Sequence, residues 1–354
     1  MRAVSPVLDE APGGAPPDRT TRTLSRGGVV AVSALAVVFT AGLTFVTIEL
    51  PERLTSWADR WIDIPDYHPV IEPEAINQFL SRNYIRPIGY ACLAVVLGLI
   101  GAGLVTRRHS LSKVGAVLLF LPTFGFFAAY MFFLAGLGVL RALWLPIWSG
   151  WLALGDIAYV PYMAIVWPLW QTGLDARHEV AFGAIAIGLL VFTVATGLWL
   201  VARARGRNVV DFWLYRYTRH PQYLGWILWS YGVMLLAGLE PVPMGGENPG
   251  AALPWVVATL VIVAVAWAEE ARMLEDHGAD YAAYRRRTPF LLPVPPVPGR
   301  PMTTLLRWVI GTDAPATRGE IILAFALYLG LAVLLSVPFM VFEWPRYGWW
   351  GWPV

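Results

Sequence analysis

Two groups of reactive side chains stand out in this 354-residue chain. The first reads Arg219-His220-Pro221-Gln222-Tyr223-Leu-Gly225-Trp, with Tyr215 and Tyr217 just before it. The second begins at Glu269-Glu270 and continues through Gly278-x-x-Tyr281-x-x-Tyr284 into Arg285-Arg286-Arg287 and Thr288-Pro289. Both adjoin apolar runs. Arginines and tyrosines at such positions can simply anchor a helix end at a membrane surface. Two adjacent carboxylates directly after an apolar run are different, because they repel one another and are costly to desolvate. An ionisable cluster of that kind marks a functional site.

The side chains define what such a site could hold. Arg219 and His220 offer positive charge, Glu269 and Glu270 negative charge, and Tyr215, Tyr217, Tyr223, Tyr281 and Tyr284 aromatic faces. A ligand carrying a carboxylate, an amine, a ribose and a positive centre would use them all. Arginine or histidine pairs with the carboxylate, glutamate takes the ammonium or ribose hydroxyls, and aromatic faces suit adenine and a sulfonium cation. S-adenosylmethionine fits this description, and a nicotinamide nucleotide shares much of it.

The elements that must position these residues are membrane helices. The chain is 57% hydrophobic and 14% charged, against roughly 25% charged in soluble domains. Its apolar runs approach the ~20 residues of a helical crossing and do not alternate as barrel strands would. The fold class expected is therefore all-α, a polytopic membrane protein. Lys+Arg 26 against Asp+Glu 24 is nearly balanced and gives no sign of a nucleic-acid partner. The single cysteine, Cys92, excludes an intramolecular disulfide.

Taken in order, residues 1–26 read as a disordered tail, and residues 27–50, 84–105 and 114–140 as crossings. Residues 141–175, rich in tryptophan and broken by Pro146, Pro161 and Pro168, are expected to form an outer re-entrant or interfacial segment. Asp156 there would be a cap at a broken helix or a cavity residue. Further crossings are expected at 179–202, 222–240, 251–268 and 321–342. The 222–240 and 251–268 runs form a helical hairpin about a Pro- and Gly-rich turn, which brings Glu269 near His220. The basic clusters at Arg107-Arg108 and Arg203 to Arg219 place those ends inside. The expectation is seven crossings in the plasma (inner) membrane, N-terminus inside, C-terminus outside, and the site on the cytoplasmic face. The tryptophans after Glu343 read as an interfacial belt. Nothing in the sequence sets the oligomeric state.

At the same residues the chain resembles the integral-membrane methyltransferases, a superfamily that includes isoprenylcysteine carboxyl methyltransferase and phospholipid methyltransferases. The resemblance rests on Arg219-His220-Pro221-x-Tyr223-x-Gly225, the Asn248-Pro249 turn, Glu269-Glu270 and Gly278-x-x-Tyr281-x-x-Tyr284, and covers about 180–295. It implies a methyltransferase core over 179–300, between an N-terminal bundle at 27–178 and a final helix with its aromatic tail at 301–354. It also implies an S-adenosylmethionine pocket lined by Tyr215, His220, Pro221, Gln222, Tyr223 and Glu269, with Tyr281 close by and Arg207 to Val210 entering it. The carboxyl methyltransferases carry a substrate-binding arginine where this chain has Val265, so the resemblance does not carry over the prenylcysteine carboxylate as acceptor.

Methyl transfer from a sulfonium is an in-line displacement, served by positioning and desolvation. Arg219 and Glu270 are the catalytic candidates, with Glu270 or His220 available to handle a proton. The acceptor expected is lipophilic or small and membrane-permeant, with a carboxylate, thiol or amine. No metal is expected: the five histidines are scattered and no His-Glu-x-x-His pattern occurs. His277 reads as a surface residue. The alternatives are an NADPH-dependent membrane reductase of the sterol type, for which Arg285 to Arg287 could meet a phosphate, and a non-catalytic scaffold or transporter.

Overall fold

Apolar runs free of interior charge become helices here because only a helix satisfies every backbone N–H and C=O within its own segment. The computed structural model describes residues 25–62, 85–106, 108–128, 149–207, 209–239, 252–293 and 301–341. The long helices are α1 (Arg26–Ile62), α2 (Ile85–Val105) and α3 (His109–Ala128). A 3-10 helix, Ser149–Tyr159, leads into α4 (Val160–Gln171). Then come α5 (Arg177–Ala204), α6 (Pro221–Leu239), α7 (Ala252–Arg287), α8 (Pro301–Ile310) and α9 (Arg318–Val341). Among the described residues there is no strand. The fold is all-α.

Four of these helices have stretches long and apolar enough to cross a membrane: Arg26–Phe45, Arg177–Ala204, Ala252–Arg287 and Arg318–Phe339, with a shorter apolar helix at Gly89–Val105. Their outward faces carry exposed Val38, Val95, Leu190 and Leu334, as expected where acyl chains take the place of water. Residues 1–24 of the expected tail at 1–26, residues 63–84, the turn at 241–250 and the tryptophan belt after Glu343 lie outside the described residues, and α1 continues to Ile62, past the expected crossing end at 50.

Three packed pairs, α1 with α5, α2 with α3 and α5 with α6, run antiparallel. Thr193 on α5 donates to Thr40 on α1 at 3.2 Å, and Gly197 faces Ala36, so α1 rises as α5 descends. Ser112 near the start of α3 donates to the carbonyl of Ile100 near the end of α2 at 3.0 Å. The most extensive helix contact is between α5 and α6. A Cβ on Gly188 would run into the backbone of Trp229, and one on Gly225 into the backbone of Phe192. Small residues allow this direct approach of two membrane helices. It fixes the start of α6, and with it His220, against the last turns of α5.

The 141–175 stretch is described from Ser149 onward. Its 3-10 helix packs on Ala252 and Leu253 of α7 through Gly155 and on α9 through the Ile157 N–H, which donates to Ser336 at 3.2 Å. Ala252 stands seventeen residues, about 25 Å of helix rise, before Glu269. The segment therefore sits at the end of the bundle opposite the reactive cluster, and α4, with 12 residues, is shorter than a crossing. Asp156 is buried at that far end.

Candidate active site

Three local features aim the two motifs at one another. Pro221 opens α6, where its missing N–H costs nothing. Just upstream, the Arg219 N–H donates to the carbonyl of Pro289 at 3.0 Å, and Thr218 donates to the carbonyl of Phe290 at 3.4 Å. The segment after α7 thus straps down the start of α6. The third feature is Gly278. Its φ of 47° and ψ of −121° break α7 into two pieces, in the region where a side chain is strained. The final piece folds back so that the Tyr284 hydroxyl donates to the carbonyl of Tyr215 at 2.7 Å.

The adjacent glutamates separate in role because consecutive helix residues point about 100° apart. Glu270 turns inward and is 2% exposed. Its Oε1 lies 3.1 Å from Arg219 Nε and 3.1 Å from His220 Nε2, and its Oε2 lies 3.2 Å from Arg285 Nε. It is a buried anion ringed by basic groups, and it holds the Arg219-His220 pair in place. Glu269 turns to the adjoining cavity. Its Oε2 accepts from the Tyr223 hydroxyl at 2.7 Å, and its Oε1 accepts from Lys113 at 2.7 Å. The proximity expected between Glu269 and His220 is thus realised by Glu270, one residue on.

The cavity has a volume of about 900 Å³, within the roughly 300–1,000 Å³ of small-molecule sites. Tyr215, Arg219, His220, Pro221, Gln222, Tyr223, Glu269 and Tyr281 all line it. His220 stacks on Tyr223, ring centroids 5.5 Å apart, and meets Phe290 edge-on at 5.1 Å. Gln222 donates to Thr196 of α5 at 3.2 Å. Tyr215 donates to the carbonyl of Ala195 at 3.3 Å, and burial, then the Glu269 charge, pushes its phenol above the ordinary value. Burial pulls the Arg219 guanidinium below its ordinary value, and Glu270 opposes that shift.

Two candidates stand apart from the cavity wall. Glu270 lies behind it, reaching it only through the groups it holds. Arg207 sits with its guanidinium 5.5 Å from the Phe212 ring centre, while Val209 and Val210 of the same segment line the cavity. Val265 is fully buried in α7. Arg285 is held by Glu270, and Arg287 donates to Asp211 at 2.7 Å. Among the described residues no cluster of His, Cys, Asp and Glu is placed to hold a metal ion.

Sequence reasoning did not assign to the site the other half of the wall: Arg108 just before α3, His109 and Lys113 from α3, Trp199 and Arg203 from α5, and Arg272 and His277 from α7. His277, expected at the surface, is half-buried on this wall. Five arginine and lysine side chains line the cavity against two carboxylates, Glu269 and Asp276. One signal for Lys113 was available, since it is the only lysine in the chain.

A family match falls on the segment that builds the cavity's α5–α7 side. Residues 180–288 match a family described as a protein of unknown function, DUF1295. Over 81 residues the chain is 33% identical to the methanethiol S-methyltransferase of Crocosphaera subtropica, covering 22% of this chain and 27% of that protein. The chain therefore matches only about a quarter of that relative's length. No solved structure matches. The family match falls within the 180–295 stretch that carries the sequence motifs.

Proposed function

We propose that the protein is a membrane-embedded, S-adenosylmethionine-dependent methyltransferase acting on a lipophilic or small membrane-permeant acceptor. The observation that carries this reading is the convergence of 215–223 and 269–284 on one cavity, closed by the Tyr223–Glu269 hydrogen bond of 2.7 Å. The donor set suits the cofactor. Glu269 offers a carboxylate to an ammonium or ribose hydroxyls, Arg219 and His220 face a carboxylate, and the Tyr215, Tyr223 and Tyr281 rings suit adenine and a sulfonium. Bound there, S-adenosylmethionine supplies an electrophilic methyl group. The chain's own part is to orient the two reactants and exclude water, with Glu270 keeping Arg219 and His220 in register.

The site end of the bundle carries Arg108, Arg203, Arg216 and Arg219, an excess that supports a cytoplasmic face for the cavity. The antiparallel order of α1 and α5, α2 and α3, and α5 and α6 supports seven crossings in the inner membrane with the N-terminus inside. Charge gathered at one end rather than along midplane helices speaks against transport.

Isothermal titration with S-adenosylhomocysteine tests the reading, with Glu269→Gln as control. Binding that Glu269→Gln weakens at least tenfold is expected, and absence of binding to the unaltered protein would overturn it. The excess of cationic side chains around the cavity favours one second reading, an NADPH-dependent reductase, with Arg108, Arg203 and Arg272 as phosphate partners. Oxidation of NADPH with an enone acceptor, alongside no affinity for S-adenosylhomocysteine, would select it.

A further inference from the structure

Lys113 reaches the site from outside the family-matched segment 180–288. It stands on the first turns of α3, 156 positions before Glu269 in sequence, yet its ammonium lies 2.7 Å from Glu269 Oε1. It also lies 5.1 Å from the Tyr223 ring centre, a cation–π distance. The side chain is 38% exposed and lines the cavity. An ammonium has three donors, and the bond to Glu269 uses one of them. By contrast, Arg219 is packed against Glu270 with only 9% of its side chain exposed.

A second cavity, of about 600 Å³, adjoins the first at the same end of the bundle. Its apolar lining is Leu104 and Val105 of α2, Ala268 of α7, and Ile321 and Ile322 of α9. Glu275, Thr317 and Arg318 stand at its polar side. Val105 and Ile322 are 58% and 52% exposed, on the bundle's outward surface. His109, Arg272 and Asp276 line both cavities. On α3, His109 and Lys113 are four residues apart and so share a helix face. A molecule lodged in the second cavity would therefore pass His109 to meet Lys113 beside Glu269.

We propose that Lys113 is the acceptor-side cation of the site, holding the anionic end, thiolate or carboxylate, of an acceptor whose apolar chain occupies the second cavity. This rests on the methyltransferase reading above. It gives the N-terminal bundle a role in specificity: α5 to α7 build the cofactor side, and α3 brings the cation beside Glu269 that sorts acceptors. An ammonium at hydrogen-bond distance favours the ionised form of a thiol or carboxyl group and repels a protonated amine. Glu269 positions the ammonium and shares it with the acceptor.

The test uses full-length protein in lipid nanodiscs and three probes of equal chain length: octanethiol, octanoate and octylamine. Methyl transfer from labelled S-adenosylmethionine is measured for each probe with the unaltered protein, Lys113→Gln and Lys113→Arg. Binding of octanoate to cofactor-free protein is followed by tryptophan fluorescence as an activity-independent readout. The unaltered protein is expected to prefer the thiol or carboxylate over the amine. Lys113→Gln should raise KM for the anionic probes at least tenfold, weaken octanoate binding comparably and lose the preference, while Lys113→Arg recovers most of both. S-adenosylhomocysteine affinity should stay within about threefold in both variants, which separates this role from cofactor binding. A preference for octylamine, or Lys113→Gln with unchanged KM and octanoate affinity, would overturn the assignment. Failure of the unaltered protein to bind S-adenosylhomocysteine would instead overturn the methyltransferase reading.

Discussion

The adjacent glutamates should fail in different ways when neutralised. Glu270 is 2% exposed and faces Arg219, His220 and Arg285 at 3.1–3.2 Å. Removing one member of a buried ion pair costs about 3–5 kcal/mol, because the partner stays buried and unpaired. Glu270→Gln keeps the shape and one acceptor oxygen, and Arg285 retains 22% exposure, so the lower end, about 3 kcal/mol, is expected. With an unfolding entropy of about 2.1 cal/mol/K per residue, that lowers the midpoint of thermal unfolding by about 4 °C. Glu269 is 33% exposed and its partner Lys113 38%, a geometry worth about 0–1 kcal/mol. Glu269→Gln should therefore melt within about 1.5 °C of the unaltered protein while losing cofactor affinity. The assay is thermal unfolding in nanodiscs, paired with S-adenosylhomocysteine titration of each variant. If both variants melt equally early, or if Glu270→Gln melts like the unaltered protein, the division between a buried anchor and a cavity ligand is wrong.

Other consequences follow from the packing. Gly225→Leu would drive a side chain into the backbone of Phe192, and overpacking of about 1–3 kcal/mol or more should appear as a lowered midpoint and reduced yield of folded protein. Gly278→Ala meets no neighbouring atom but must hold φ near 47° with ψ near −121°, a cost of about 1–3 kcal/mol; weaker cofactor binding with a midpoint loss is expected as Tyr281 and Tyr284 shift. Asp313 is held below the ordinary carboxylate range, chiefly by the hydrogen bond from Arg307. Its stabilising effect is therefore present above about pH 4 and fades as pH falls through the depressed value. The midpoint difference between the unaltered protein and Asp313→Asn should accordingly be small but measurable at pH 7 and vanish in acid.

Much of the architecture was legible because a membrane imposes long-range order on local sequence. Runs such as 177–204 and 318–339 lack interior charge, and in lipid that composition leaves a helix as the favoured structure. Whether 141–175 crosses was not legible in this way, because its prolines interrupt the apolar run and only the count of charged ends argued for a non-crossing segment. The motif 219–223 was readable as chemistry because its residue types are costly beside apolar runs.

What only the tertiary structure decided are matters of direction. Glu269 and Glu270 are indistinguishable in sequence, and which one faces the cavity depends on how α7 is rotated against α3 and α6. Arg207 belongs to a segment that does reach the cavity, yet its guanidinium lies over Phe212 instead. Lys113 lies so far from Glu269 in sequence that no local pattern joins them, and only the packing of α3 against α7 does. Hydropathy specifies which segments enter the membrane, since burial from water depends on composition. The choice of neighbours and their rotation comes from side-chain packing across helices, such as Gly188 and Gly225 meeting opposite backbones, and so belongs to the folded chain.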